Sequence, residues 1–135
     1  MSFLLDTNVV SELRKPSPNS GVKAWFASVD PEQLFLSVLA VGEIRIGIER
    51  LRRRDPERAK TFDAWLETLE SDYADRLLPI TADIAQEWGR LNVPNPLSVV
   101  DGLMAATAKV QGLTLVTRNT QDVARTGIQL LNPFQ

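Results

Sequence analysis

The chain has 135 residues, with 15 Lys and Arg against 17 Asp and Glu for a net charge of −2, and 44% hydrophobic residues, as befits one soluble globular domain over residues 1–135. It contains neither cysteine nor histidine, which excludes disulfides, thiolate catalysis, zinc–thiolate sites and any histidine base or imidazole ligand. No apolar run reaches the roughly 18 residues of a membrane span and no basic-then-apolar leader opens the chain, so a cytoplasmic location with no membrane contact is expected.

In chain order, FLLD (Phe3–Asp6) predicts a first buried strand that ends on a carboxylate, followed by Thr7 and Asn8. Asp, Thr and Asn are all helix caps, and VVSELR fits the helix they would start. KPSPNSG reads as a loop, and Ser20-Gly-Val-Lys23 as a chance match to a nucleophile motif whose other elements are missing. Leu34–Ser37 predicts a second strand. Val38–Arg54 predicts a helix turning Leu39, Val41, Ile44, Ile48 and Leu51 inward and Arg45, Glu49 and Arg52 outward. Arg50, Arg52, Arg53, Arg54 and Arg58 crowd into the next stretch. A solvated helix end accounts for them, phosphate contacts being the alternative.

Pro56–Glu70 predicts another helix, with Phe62, Trp65, Leu66 and Leu69 as its apolar stripe. Leu77–Ile80 predicts a third strand, and Thr81 caps the helix carrying Ile84, Ala85 and Trp88. VPNPLS is a loop, and Ser98 caps an alanine-rich helix over Val99–Val110 that Gly112 ends. Thr114–Thr117 and Gln129–Leu131 complete five short apolar strands. Strands alternating with helices predict an α/β fold, with a mostly parallel sheet covered on both faces. In such sheets the functional crevice lies beyond the carboxyl ends of the strands, at a topological switch point.

Asp6 falls at such an end. Glu43 lies early in the helix after the second strand, Asp101 in the first turn after Ser98, and Asp122 shortly after the fourth strand. Each has a structural alternative: Asp6 as a cap, Ser98-x-x-Asp101 and Asn119-x-x-Asp122 as capping boxes, Glu43 as a solvated helix residue. Together they map to one edge of the sheet. Converging carboxylates repel unless a cation compensates them, and Mg²⁺ or Mn²⁺ prefers oxygen ligands. Such a metal acidifies water where histidine is missing and offsets phosphodiester charge, so hydrolysis of a nucleic-acid backbone is the expected chemistry.

LLDTNVVSEL, the acid of VGEI, VVDGLMAATA and LTLVTRNTQDV occur in the order and spacing of PIN-domain proteins. The chain resembles the VapC and FitB toxins of bacterial type II toxin–antitoxin pairs, from residue 3 to the LLNPF ending. The resemblance implies a three-layer α/β/α sandwich, usually dimeric, acting as a Mg²⁺-dependent endoribonuclease on RNA. It places the family's acids on Asp6, Glu43, Asp101 and Asp122, and supporting polar residues on Thr7, Thr117 and Asn119. Val123 stands where the family more often has Phe, a departure beside the fourth acid. A small antitoxin partner is also implied, its C-terminal segment lying along the toxin and reaching the acids with a basic side chain. Contact with DNA would run only through that partner. Phe62, Trp65 and Trp25 are candidates to line its groove, or else to belong to the core. Two other readings remain: a non-catalytic PIN-like binding module, and a receiver-type phosphoacceptor domain. The latter requires an acid pair after the first strand and a lysine near the last ones.

Overall fold

The computed structural model describes residues 1–135. Five short strands form one sheet: β1 (Phe3–Leu5), β2 (Leu34–Ser37), β3 (Leu77–Leu78), β4 (Thr114–Val116) and β5 (Leu130–Leu131). Their order is β3-β2-β1-β4-β5, and every pairing is parallel. From β1 the chain builds outward to β2 and β3, then returns to lay β4 and β5 on the other side. The switch point therefore lies between β1 and β4.

Seven helices cover the sheet: α1 (Thr7–Arg14), α2 (Ser20–Ser28), α3 (Val38–Arg52), α4 (Pro56–Asp72), α5 (Ala82–Leu91), α6 (Val99–Gln111) and α7 (Thr120–Val123). The pleat assigns alternate strand residues to two cores. Phe3, Leu5, Leu34, Leu36 and Val116 face one core, with Val9 and Val10 of α1, Val22 of α2, Ile44 and Ile48 of α3, and Leu66 of α4. Leu4 and Leu115 face the other, against Met104, Ala105 and Ala108 of α6 and Val123 of α7. The three-layer α/β/α arrangement is thus built from apolar residues on both faces of each strand. No helix is long and apolar enough to cross a membrane.

Local chemistry starts most of these helices. The side chains of Asp6, Asn19, Ser37, Asp55 and Thr81 each accept a backbone N–H in the first turn of the helix they precede. Gly112 ends α6 at φ 68°, a left-handed conformation that glycine adopts without penalty.

Several sequence expectations change in detail. Four of the five strands are one or two residues shorter than expected, because Asp6, Pro79, Ile80, Thr117 and Gln129 lie outside the strands. The loop expected over KPSPNSG stops early: Ser20 and Gly21 already belong to α2, which Asn19 caps. Neither capping box forms, since the side chains of Ser98 and Asn119 make no cap hydrogen bond.

Candidate active site

Asp6 stands immediately beyond β1, its backbone N–H still donating to the Val116 carbonyl of β4 at 2.9 Å. One carboxylate oxygen, Oδ1, accepts the Thr7 N–H at 2.7 Å and so caps α1. The other, Oδ2, accepts the Thr117 hydroxyl at 2.7 Å from the end of β4. Two adjacent parallel strands thereby aim their terminal polar side chains at each other. Asp6 is both a cap and a presented acid.

Glu43 reaches the same place from the second turn of α3, where its Oε1 accepts the Thr7 hydroxyl at 2.5 Å. Asp101 arrives from the first turn of α6. Because no capping box occupies its carboxylate, it is left to face the cleft. Asp6, Glu43 and Asp101 line a cleft of about 290 Å³ together with Thr7, Asn8, Ser11 and Asn119, and no hydrophobic residue contributes to its wall. Asp122 does not line it. It sits exposed in α7, its backbone N–H donating to the Asn119 carbonyl. Three of the four acids are therefore brought together, and the fourth stands outside.

The electrostatics follow from this placement. Asp6 is only 8% exposed, and burial pushes its carboxyl above the ordinary aspartate range. The hydrogen bonds from Thr117 and Thr7 pull it back, while the charges of Glu43 and Asp101 raise it further. A buried anion facing two more carboxylates calls for positive charge.

The donor set suits a hard divalent cation, being made of oxygen atoms throughout. No three acidic side chains are clustered tightly enough to hold an ion unaided. A metal here would keep part of its water shell, as Mg²⁺ commonly does.

Two lining residues escaped the sequence reading as site members. Asn8 extends Nδ2 toward Asp6 Oδ2 at 3.5 Å and Thr117 Oγ1 at 3.4 Å, and its Oδ1 accepts the Arg118 N–H at 3.3 Å. Ser11 lies one turn after Thr7 on the same face of α1. That spacing is the signal that would have found it. Thr117 is fully buried behind the cleft, where it also accepts the Asn119 N–H at 3.1 Å.

A parallel sheet whose strand order reverses beside a terminal aspartate, with further acids delivered by the helices after β2 and before β4, defines an α/β protein with a carboxylate-lined site at its switch point. The receiver alternative lacks its lysine, because Lys109 lies in the last turn of α6, two turns from Asp101, and does not line the cleft. The sequence matches the PIN-domain family model over residues 3–128, and the chain belongs to that family. It is 33% identical to Toxin FitB of Neisseria gonorrhoeae, covering 98% of both chains. The crystal structure of FitAcB from the same organism superposes with a TM-score of 0.89, at 32% identity over 97% of both chains. VapC ribonuclease Y4jK of Sinorhizobium fredii is 33% identical, over 98% of each chain. A toxin–antitoxin complex from Klebsiella pneumoniae is similar at 27% identity, with a TM-score of 0.72 over 99% of both chains.

Proposed function

We propose that this chain is the endoribonuclease toxin of a toxin–antitoxin pair, cleaving RNA phosphodiesters with Mg²⁺ or Mn²⁺ at the acidic cleft. The observation that carries this reading is the meeting of Asp6, Glu43 and Asp101 in one wholly polar cleft at the switch point of the sheet. Likeness along the full chain to a ribonuclease and to the complexed toxin supports the reaction class and the partner.

Asp6, Glu43 and Asp101 would hold the cation. The cation supplies Lewis acidity toward a phosphodiester oxygen and lowers the pKa of water. The rest of the work falls to the chain. Thr117 and the Thr7 N–H fix the Asp6 carboxylate in one orientation, and the Thr7 hydroxyl fixes Glu43 relative to it. Asn8, Ser11 and Asn119 offer further hydrogen bonds to a substrate in the cleft. Homodimerisation, a small antitoxin partner and DNA contact through that partner belong to the same reading.

The test is cleavage of labelled single-stranded RNA with Mg²⁺, with excess chelator, and with Asp101→Asn. Cleavage by the wild type alone, abolished by chelator and by the substitution, is expected. Full activity in chelator or in the variant would overturn the mechanism. A folded protein that binds RNA without cutting it would favour the binding-module alternative.

A further inference from the structure

A second, larger groove opens off the acidic cleft. It has a volume of about 430 Å³, lies between α1, α3 and α4, and shares Thr7, Ser11 and Glu43 with the cleft. Its wall is basic where the cleft is acidic. Arg14 comes from the last turn of α1, Arg54 from just beyond α3 and Arg58 from the start of α4, set around Phe62 and Trp65.

These arginines differ from four others in the chain that are held in ion pairs. Arg45 and Arg52 share Asp63 and Glu49, Arg76 pairs with Asp75, and Arg90 pairs with Glu87. Arg14, Arg54 and Arg58 belong to no such pair. The Arg14 guanidinium stands over the Phe62 ring, its Cζ 3.5 Å from the centroid, and the Arg58 guanidinium approaches the same ring at 5.8 Å. Arg14 Nε is buried with no hydrogen-bond partner. Burial and the nearby Arg58 charge both work against the Arg14 cation. Like charges held over one ring, with fork-shaped donors unfilled, are compensated by an anion.

We infer that this groove binds the phosphate backbone of single-stranded RNA next to the phosphate held at the acidic cleft. The inference rests on the nuclease reading above. Continuity decides the occupant: a strand lying across the cleft passes Thr7, Ser11 and Glu43 and delivers its next phosphates to Arg14, Arg54 and Arg58. The arginine-rich stretch of the sequence thus divides. Arg52 is spent on Asp63 and Glu49, Arg50 and Arg53 do not line the groove, and Arg54 and Arg58 do.

The test is equilibrium binding of a fluorescein-labelled oligouridylate in chelator, titrated over a range of salt. Arg54→Gln with Arg58→Gln, both at exposed positions, is expected to weaken binding and to flatten the log–log salt slope by about 0.7 for each phosphate no longer neutralised. Arg50→Gln with Arg53→Gln is expected to leave the slope unchanged. Arg14→Lys keeps the charge and the packing stem but loses the fork, and should weaken binding with little change in slope. An unchanged slope in the Arg54/Arg58 variant, while the wild type still cleaves RNA, overturns the groove and leaves the nuclease standing. A wild type that neither binds nor cleaves RNA overturns both. If the same variant binds oligoglutamate less well by the same factor as RNA, the groove is an unselective polyanion patch and the assignment is again overturned.

Discussion

Asp6 carries two demands that pull against each other. As a cleft acid it must stay charged, which the hydrogen bonds from Thr7 and Thr117 favour, yet it is almost fully buried, which works against the charge. Its raised folded-state pKa means that the folded protein holds the proton more tightly than the unfolded chain does. This contribution to stability is complete below the ordinary aspartate range and is lost as pH rises through the folded value. Asp6→Asn keeps an oxygen for the Thr7 N–H and removes the charge. In chelator at neutral pH it should melt at or above the wild-type temperature, and the difference should vanish in acid. Adding Mg²⁺ should raise the wild-type midpoint and leave the variant unmoved, because only a protein that binds the ion gains from it. Calorimetry with and without Mg²⁺ checks both signs. Thr117→Val tests the opposite influence. It removes the hydroxyl that lowers the Asp6 pKa and leaves Oδ2 only the long approach of Asn8. The expected result is a destabilisation of about 1–3 kcal/mol at neutral pH, together with an acid limb of the pH–rate profile moved to higher pH. An unmoved limb would mean that Asp6 does not set it.

Among the elements, what the sequence revealed and what it hid have separate physical causes. All five strands were legible because each is an apolar run packed on both faces, the edge strands β3 and β5 only half-buried, and β2 has the expected bounds. The ends drifted because Asp6 and Thr117 continue the chain direction while their side chains turn to the cleft. The helix α2 was hidden by its own cap: Asn19, Ser20 and Gly21 look like loop residues, yet Asn19 accepts from the N–H groups of Gly21 and Val22. Asp6, Glu43 and Asp101 were legible as a set because each sits at the end of an element whose place in a parallel sheet is known. Asn8 and Ser11 were not, since polar residues on a short helix carry no such mark. The seating of α6 on α5 also lay beyond sequence reading. A Cβ at Gly102 would stand 2.9 Å from Trp88 Cδ1, so the glycine sets how closely the Asp101-bearing helix approaches α5. Gly102→Ala should cost roughly 1–3 kcal/mol of overpacking against about 1 kcal/mol of helix propensity gained. Net destabilisation with impaired cleavage is expected. Gly89→Ala in α5 meets nothing within 4 Å and should be neutral or stabilising. Urea melts of the pair check the contrast, and a more stable Gly102→Ala would show that Trp88 yields freely.

At the scale of the whole molecule, a net charge of −2 conceals a strong local separation. Three carboxylates line one cleft, and three unpaired arginines line the groove that opens from it. Without a metal the cleft attracts any cation that fits, and a guanidinium offered by a bound partner fits well because it can pair with a carboxylate in bidentate fashion. Inhibition by an antitoxin of the kind proposed should then depend on competition for the same acids. A peptide from the partner's C-terminal half should block cleavage, whereas its DNA-binding half should not. Replacing the peptide's cleft-directed arginine with alanine should weaken inhibition most at low Mg²⁺, where the guanidinium holds the carboxylates unopposed. As Mg²⁺ rises, the ion takes those oxygens and the two peptides should converge in potency. Inhibition curves for both peptides across a magnesium series measure this directly. If the arginine substitution has the same effect at every concentration, or none, the partner works by covering the RNA path. The basic groove, not the acidic cleft, would then be the surface it must occupy.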